Sequence, residues 1–276
     1  MSSPPTRTLP TRNLRMTVAY DGSNYVGWQS QPNGPSIQAA IEKGIEKLVG
    51  HHCPVLAAGR TDSGVHALGQ VISFQTLSTI PVGNWPSALQ SCLPYDIVIR
   101  DAREVPADFH ATFSAKRKRY RYVIQNSPWP LPFLRQYVYY LRRELDAEAM
   151  HDAAQVLVGK HDFRCFETDW PNKATSVRTV LEVTVQRTAG WPMFAPQGMA
   201  LPPPDGQLPF ITLEIVADGF LYNMVRTITG TLINVGRGKW TRSDIQRILE
   251  SQIRSAAGST APACGLYMVH VDYEGD

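Results

Sequence analysis

The 276-residue chain carries 27 Lys and Arg against 24 Asp and Glu, a formal charge of +3 that permits nucleic-acid binding without requiring it. Its ordinary globular composition suffices for one large domain or two packed halves, and no apolar run approaches the ~18 residues needed to span a bilayer. The cysteines, Cys53, Cys92, Cys165 and Cys264, are scattered without a CxxC pair, which argues against a zinc ribbon and for unpaired thiols in a reducing compartment.

Met1 to Arg15 contains Arg7, Arg12 and Arg15 among Ser, Thr and Pro with no acid, the composition of an organellar transit peptide without its amphipathic face. Residues 1–13 therefore read as a disordered tail. Leu14 to Tyr20 alternates apolar and polar residues, a strand pattern, and Asp21-Gly22-Ser23-Asn24 has turn chemistry. Ser36 can cap a helix whose apolar positions Ile37, Ala40, Ile41, Ile45 and Leu48 recur at three and four residues, with Gly50 as its stop. Strands are expected at Pro54–Ala58 and Gln70–Phe74, then a helix around Trp85–Cys92 and strands at Ile97–Arg100 and Tyr120–Gln125.

A similar order recurs. Asp146 starts a helix with Ala149, Met150, Ala153, Val156 and Leu157 on one side. Val180–Arg187 and Ile211–Ala217 read as strands, and Phe220–Val235 as a long apolar helix. Thr241 with Asp244 forms a capping-box pattern for a helix ending near Ser251, and Leu266–Tyr273 is a final strand. The recurrence implies an α+β fold in which residues 14–115 and 116–276 form two related halves sharing one mainly antiparallel sheet. Residues 189–209 break the pattern. Six prolines there remove backbone donors, so a surface loop is expected.

Between two of the expected strands lies Ala58-Gly59-Arg60-Thr61-Asp62-Ser63-Gly64-Val65-His66-Ala67, which places one carboxylate beside one guanidinium on a loop whose glycines allow tight turns. A lone Arg-x-Asp is ordinarily structural. This run, however, resembles the GRTDxGVHA motif of the TruA family of tRNA pseudouridine synthases. Ala19-Tyr20-Asp21-Gly22 with Gly27-Trp28-Gln29 resembles that family's first strand and loop, and Lys118-Arg119-Tyr120-Arg121-Tyr122 its RRYRY strand. Asn223-Met224-Val225-Arg226 followed by Gly230 is similar to its MVR helix, and Ala261-Pro262-Ala263-Cys264-Gly265-Leu266-Tyr267 to its closing APxxGLYL segment. The likeness runs from Leu14 to Tyr273. Departures are the N-terminal tail, the longer proline-rich loop, and Asn223 where some members have His.

The resemblance implies the pseudouridine synthase fold, with helices on the outer faces of the central sheet and a catalytic cleft between the halves. The implied reaction breaks the C1′–N1 bond of uridine, turns the base and joins C5 to C1′, which needs no redox change, group donor, cofactor or metal. A free aspartate has a pKa of about 3.9, so it is ionised near neutrality and can attack as a nucleophile or stabilise an oxocarbenium-like C1′. The family assigns that role to Asp62, and attack on C6 or on C1′ are both open. By the same resemblance Arg226 holds Asp62 oriented and charged. Tyr120 stacks on the uracil and helps remove the C5 proton. Arg60 fills the stack that the flipped base leaves. Leu266 forms an apolar wall, with core packing an equally good reading.

Lys116, Arg117, Lys118, Arg119 and Arg121 put five cations within six residues, at the start of an expected strand. Lys118, Arg119 and Arg121 are therefore expected at a phosphate-binding edge of the cleft, where contacts give salt-dependent affinity without reading sequence. A KRKR run also fits a nuclear localisation signal. His51-His52-Cys53 brings ligand types together, but adjacent strand residues point opposite ways, which disfavours a metal site. The resemblance further implies a homodimer acting on uridines 38 to 40 of the tRNA anticodon stem-loop. A cytoplasmic location is expected, with an organellar matrix or the nucleus as alternatives. Another tRNA position or RNA, and a non-catalytic RNA-binding protein on the same scaffold, are the rival readings. A nuclease or glycosidase lacks the second catalytic carboxylate at a defined place.

Overall fold

The computed structural model describes residues 11–168, 175–189 and 209–276. Most of the expected N-terminal tail and of the proline-rich loop lies outside the described residues. The first strand begins two residues earlier than expected, so Arg12 and Asn13, read as tail, belong to β1 (Arg12–Tyr20), in which Leu14, Met16, Val18 and Tyr20 are all buried. α1 (Ile37–Val49) is capped as its sequence implies, with Ser36 Oγ accepting from Ala39 N at 3.2 Å and Gly50 closing it at φ 78°. β2 is shortened to Leu56–Ala57. Pro54 has no N–H to give, and Val55 N donates to Glu42 Oε1 on α1 instead of to a strand. β3 (His66–Thr76) is longer than expected and takes in the last two residues of the Asp62 motif.

α2 (Trp85–Gln90), β4 (Ile97–Val105) and β5 (Arg117–Gln125) follow. β6 (Tyr139–Tyr140) and β7 (Gly159–Asp162) are too short to carry a periodic signal and were not expected. Between them lies α3 (Ala147–Ala154), capped by Asp146. β8 (Val177–Thr188) and β9 (Phe210–Ala217) precede α4 (Met224–Gly236), and the capping box of Thr241 and Asp244 opens α5 (Arg242–Ser251). β10 (Leu266–Asp272) ends the chain's regular structure. No helix among the described residues is long and apolar enough to cross a membrane.

The strands form one sheet in the order β4-β1-β3-β10-β5-β9-β8-β7, with β2 added to β3 and β6 to β5. Every pairing is antiparallel except β10 with β3 and β5 with β6. Strands from the first 105 residues thus occupy one end and those from the second half the other, with β10 between them. The β3–β10 seam is short, with Tyr267 opposite His66 and Met268 opposite Ala67. The buried residues of all five helices join one core with strand residues such as Leu14, Phe74, Tyr122 and Ile215. Val123, Val138, Phe210 and Tyr267 make a second, small cluster.

α4 starts four residues later than its apolar run suggests, because Asn223 at φ 61° breaks the helical path. The helix is buried almost all round, and its Gly230 lies against the backbone at Ser259, where a Cβ would overlap the Ser259 carbonyl oxygen. Backbone cannot step aside as a flexible side chain can. Gly230→Ala is therefore expected to destabilise the fold by about 1–3 kcal/mol in urea unfolding, the scale of core overpacking; a neutral substitution would contradict this packing.

Candidate active site

The loop between β2 and β3 is tied down residue by residue. Ala58 O accepts from Lys118 Nζ at 2.6 Å and Gly59 O from Gln70 Nε2 at 2.7 Å. Thr61 Oγ1 pairs with Tyr20 Oη at 2.7 Å, Thr61 O accepts from Trp28 N at 2.9 Å, and Asp62 O accepts from Val65 N at 3.1 Å. Gly27 bridges Asp62 directly, at φ 113°, and a Cβ there would lie 2.7 Å from Thr61 O. The loop after β1 is therefore a brace for the Asp62 loop, and only glycine allows so close a backbone approach.

Asp62 Oδ2 accepts from Arg226 Nη1 at 3.1 Å, and both side chains keep about a fifth of their surface exposed, 22% and 18%. Arg226 stands in the first turn of α4, with Nε donating to Ala261 O at 2.8 Å and Nη1 also to Asn223 Oδ1 at 2.7 Å. The segment carrying Ala261 is fixed in turn by Tyr122, whose hydroxyl donates to Pro262 O at 2.7 Å. Burial raises the Asp62 carboxyl above its ordinary 3.8, while the charge and hydrogen bond of Arg226 pull it back.

Tyr120 is 7% exposed, stands edge-on to Phe220 at 4.9 Å between ring centroids, and makes no side-chain hydrogen bond among the described residues. Burial, then the charges of Tyr20 and Asp62, push its hydroxyl far above its ordinary range. Its hydroxyl lies 3.8 Å from the position a Cβ on Gly59 would take, beside the base of the Asp62 loop. Leu266 is buried at the start of β10, opposite Tyr122. Arg60 is exposed and pairs with nothing among the described residues, which leaves its guanidinium at the loop surface.

The basic run divides by strand alternation. Lys118 shares its face of β5 with Tyr120 and is tucked beneath the loop, where burial lowers its pKa, rather than lying at an open edge. Arg119 and Arg121 project to the other face of β5, where both pair with Glu214 and Arg119 also with Glu182. The expectation that these three cations line a phosphate-binding edge thus meets a geometry that keeps them from Asp62's side or engages them already. Lys116 and Arg117 pair with Glu274 and Asp272 at the surface.

Two residues whose part sequence reading passed over, Gln70 and Asn223, complete the site. Gln70 is wholly buried on a core strand, and a polar side chain at such a position is itself a signal. Asn223 was seen only as a departure from the motif, yet it touches Arg226. His66, in the motif, serves loop structure. Burial lowers its pKa, its Nδ1 accepts from Gly22 N at 3.1 Å, and Nε2 meets Gln136 O at 3.0 Å.

An aspartate paired with a cation on a braced loop, with Tyr120 beside the base of that loop, forms the candidate site. The family model described as tRNA pseudouridine synthase matches residues 16–114 and 153–274. The tRNA pseudouridine synthase A of Acetivibrio thermocellus is 45% identical over 262 residues, covering 95% of this chain and 100% of the relative. That of Moorella thermoacetica is also 45% identical, covering 94% and 99%, and that of a Thermoanaerobacter species is 42% identical, covering 95% and 100%. The chain belongs to the tRNA pseudouridine synthase family, and is accordingly an isomerase.

An acid whose pKa is raised by folding binds its proton more tightly in the folded state, so its stability contribution falls as pH rises through that raised value. Asp62→Asn is expected to unfold at higher urea than wild type near neutrality, and the two should converge as pH drops below 3.8. A variant less stable than wild type near neutrality would contradict this sign.

Proposed function

We propose that the chain isomerises uridine to pseudouridine at positions 38 to 40 of the tRNA anticodon stem-loop, with Asp62 as the nucleophile and no cofactor. The observation that carries the reading is the 3.1 Å pairing of Asp62 with Arg226 beside the ring of Tyr120. A nucleophilic carboxylate must be ionised and aimed. Arg226 favours the ionised form against the cost of burial, and the braced loop does the aiming.

A uridine within a stem must leave its stack before C1′ can be reached, at a cost of about a few kcal/mol. Arg60, exposed at the loop surface, is suited to enter the vacated space and offset part of that loss. The uracil then rests against Tyr120, with Leu266 as an apolar wall. Asp62 adds to C1′ or to C6 while the C1′–N1 bond breaks, and is expelled when C5 is joined to C1′. One proton leaves C5 and one is gained at N1, so the reaction is balanced without any donor. Tyr120, whose hydroxyl lies beside the base of the Asp62 loop, helps remove the C5 proton, which passes to solvent.

The surface pairs of Lys116 and Arg117 are of the exposed kind that contribute little stability, so both cations are free to exchange a carboxylate for an RNA phosphate. In this reading the enzyme acts as a homodimer in the cytoplasm, a location consistent with its bacterial-type relatives.

The test is tritium release from tRNA carrying uridine tritiated at C5, comparing wild type with Asp62→Ala. Wild type should release tritium to water and the variant should not, while still binding tRNA. Binding by wild type with no release would favour the rival, a non-catalytic RNA-binding protein on this scaffold.

A further inference from the structure

Asn223 immediately precedes α4 with its backbone in the left-handed region, φ 61° and ψ 5°. Among the described residues Gln252 alone shares a positive φ without being glycine. Asn is one of the few side chains that accept this conformation at small cost. Its amide is used at both ends. Oδ1 accepts from Arg226 Nη1 at 2.7 Å, and Nδ2 donates to Thr168 Oγ1 at 3.0 Å. Because arginine only donates, the oxygen must face Arg226, and the bond to Thr168 secures the other end.

Arg226 Nη1 thus divides its donors between Asn223 Oδ1 at 2.7 Å and Asp62 Oδ2 at 3.1 Å, while Nε is held by Ala261 O at 2.8 Å. Two neutral acceptors on different segments, one at Nε and one at Nη1, fix the plane of the guanidinium. A long, flexible side chain would otherwise have to be ordered each time it met the carboxylate. A neutral acceptor at residue 223 also leaves Asp62 as the charged partner of that nitrogen. A carboxylate in its place would form the stronger, charge-assisted bond and compete with Asp62 for the same nitrogen.

We propose that Asn223 is a positioning residue for isomerisation, held by Thr168 and setting the angle at which the Arg226 guanidinium meets Asp62. The inference rests on the reading of Asp62 as the reacting carboxylate. Asn223 acts only through Arg226.

Few titratable groups face the pair. Tyr120 on β5 feels the charge of Asp62, and Tyr122 on β5 and Cys264 in the closing segment feel that of Arg226. Burial raises all three, so none of them changes charge on the acid side of a rate profile, and His66, whose pKa burial lowers, bonds Gly22 and Gln136 instead of the pair, so that limb is assigned to Asp62.

The experiment measures single-turnover isomerisation of tRNA against pH, with tRNA affinity and thermal unfolding on the same samples, for wild type, Asn223→Gly, Asn223→Asp and Thr168→Val. Asn223→Gly keeps the positive φ and removes the acceptor; its maximal rate should fall about tenfold, the scale of one hydrogen bond to a charged group. Its acid limb should move up by about one pH unit, the low end of a neighbouring cation's effect on a carboxylate. Asn223→Asp should move the limb further up, and Thr168→Val less far in the same direction, all with affinity unchanged. If Asn223→Gly fails to fold, the other two variants carry the test. An unmoved acid limb in the folded variants overturns the proposal even where the rate falls, because a merely structural residue would behave in that way. A wild type with no acid limb, or an Asp62→Ala that still isomerises, overturns the reading of Asp62 and this inference with it.

Discussion

A carboxylate taken partly out of water is costly unless a cation meets it, and the arrangement around Asp62 follows from that constraint. Its partner, Arg226, is 164 residues away in sequence and belongs to the other half of the chain. The fold brings the two together beside the seam where β3 and β10 run parallel. Asp62 precedes β3, Arg226 sits on α4, and the segment leading into β10 supplies the carbonyl that holds Arg226.

Rigidity on the loop side comes from many modest bonds. Lys118, Gln70, Tyr20 and Trp28 each hold one point between Ala58 and Thr61, and Gly27 closes on Asp62 itself. No single one of them dominates. Together they leave the exposed Arg60 side chain as the unengaged part of the loop, while Asp62 is preorganised. This separation suits the proposed reading, in which the site admits a bulky nucleic acid and still aims one oxygen at one carbon. Burial raises the Asp62 carboxyl pKa, so in the proposed reading ionising it for reaction sets stability against activity.

Much of this is legible in the sequence. Period-two and period-three-and-four patterns located most of the long strands and helices, and Ser36, Gly50, Asp146 and the Thr241–Asp244 box marked helix ends where local chemistry decides them. Failures arose where tertiary contacts overrule the local pattern. β2 lost residues to Glu42 on α1, and β6 and β7 are too short to show a period. The apolar run before α4 hid the break at Asn223, which only a backbone angle reveals. At the site, the motif pointed to Asp62, Tyr120 and Arg226, and the geometry brings them together. The density of positive charge suggested that Lys118, Arg119 and Arg121 act alike. Strand alternation divides them, and the acids that engage Arg119 and Arg121 lie 63 to 95 residues away in sequence.

The central claim is that Arg226 serves the chemistry of Asp62 and not the capture of RNA. The most direct test measures single-turnover isomerisation and tRNA affinity together for Arg226→Lys, which keeps the charge but cannot hold Ala261 O, Asn223 Oδ1 and Asp62 Oδ2 from one rigid plane. The account predicts a rate lowered by about a hundredfold or more, as for loss of one preorganised electrostatic group, with affinity nearly unchanged. An intact rate, or a loss confined to affinity, would contradict it.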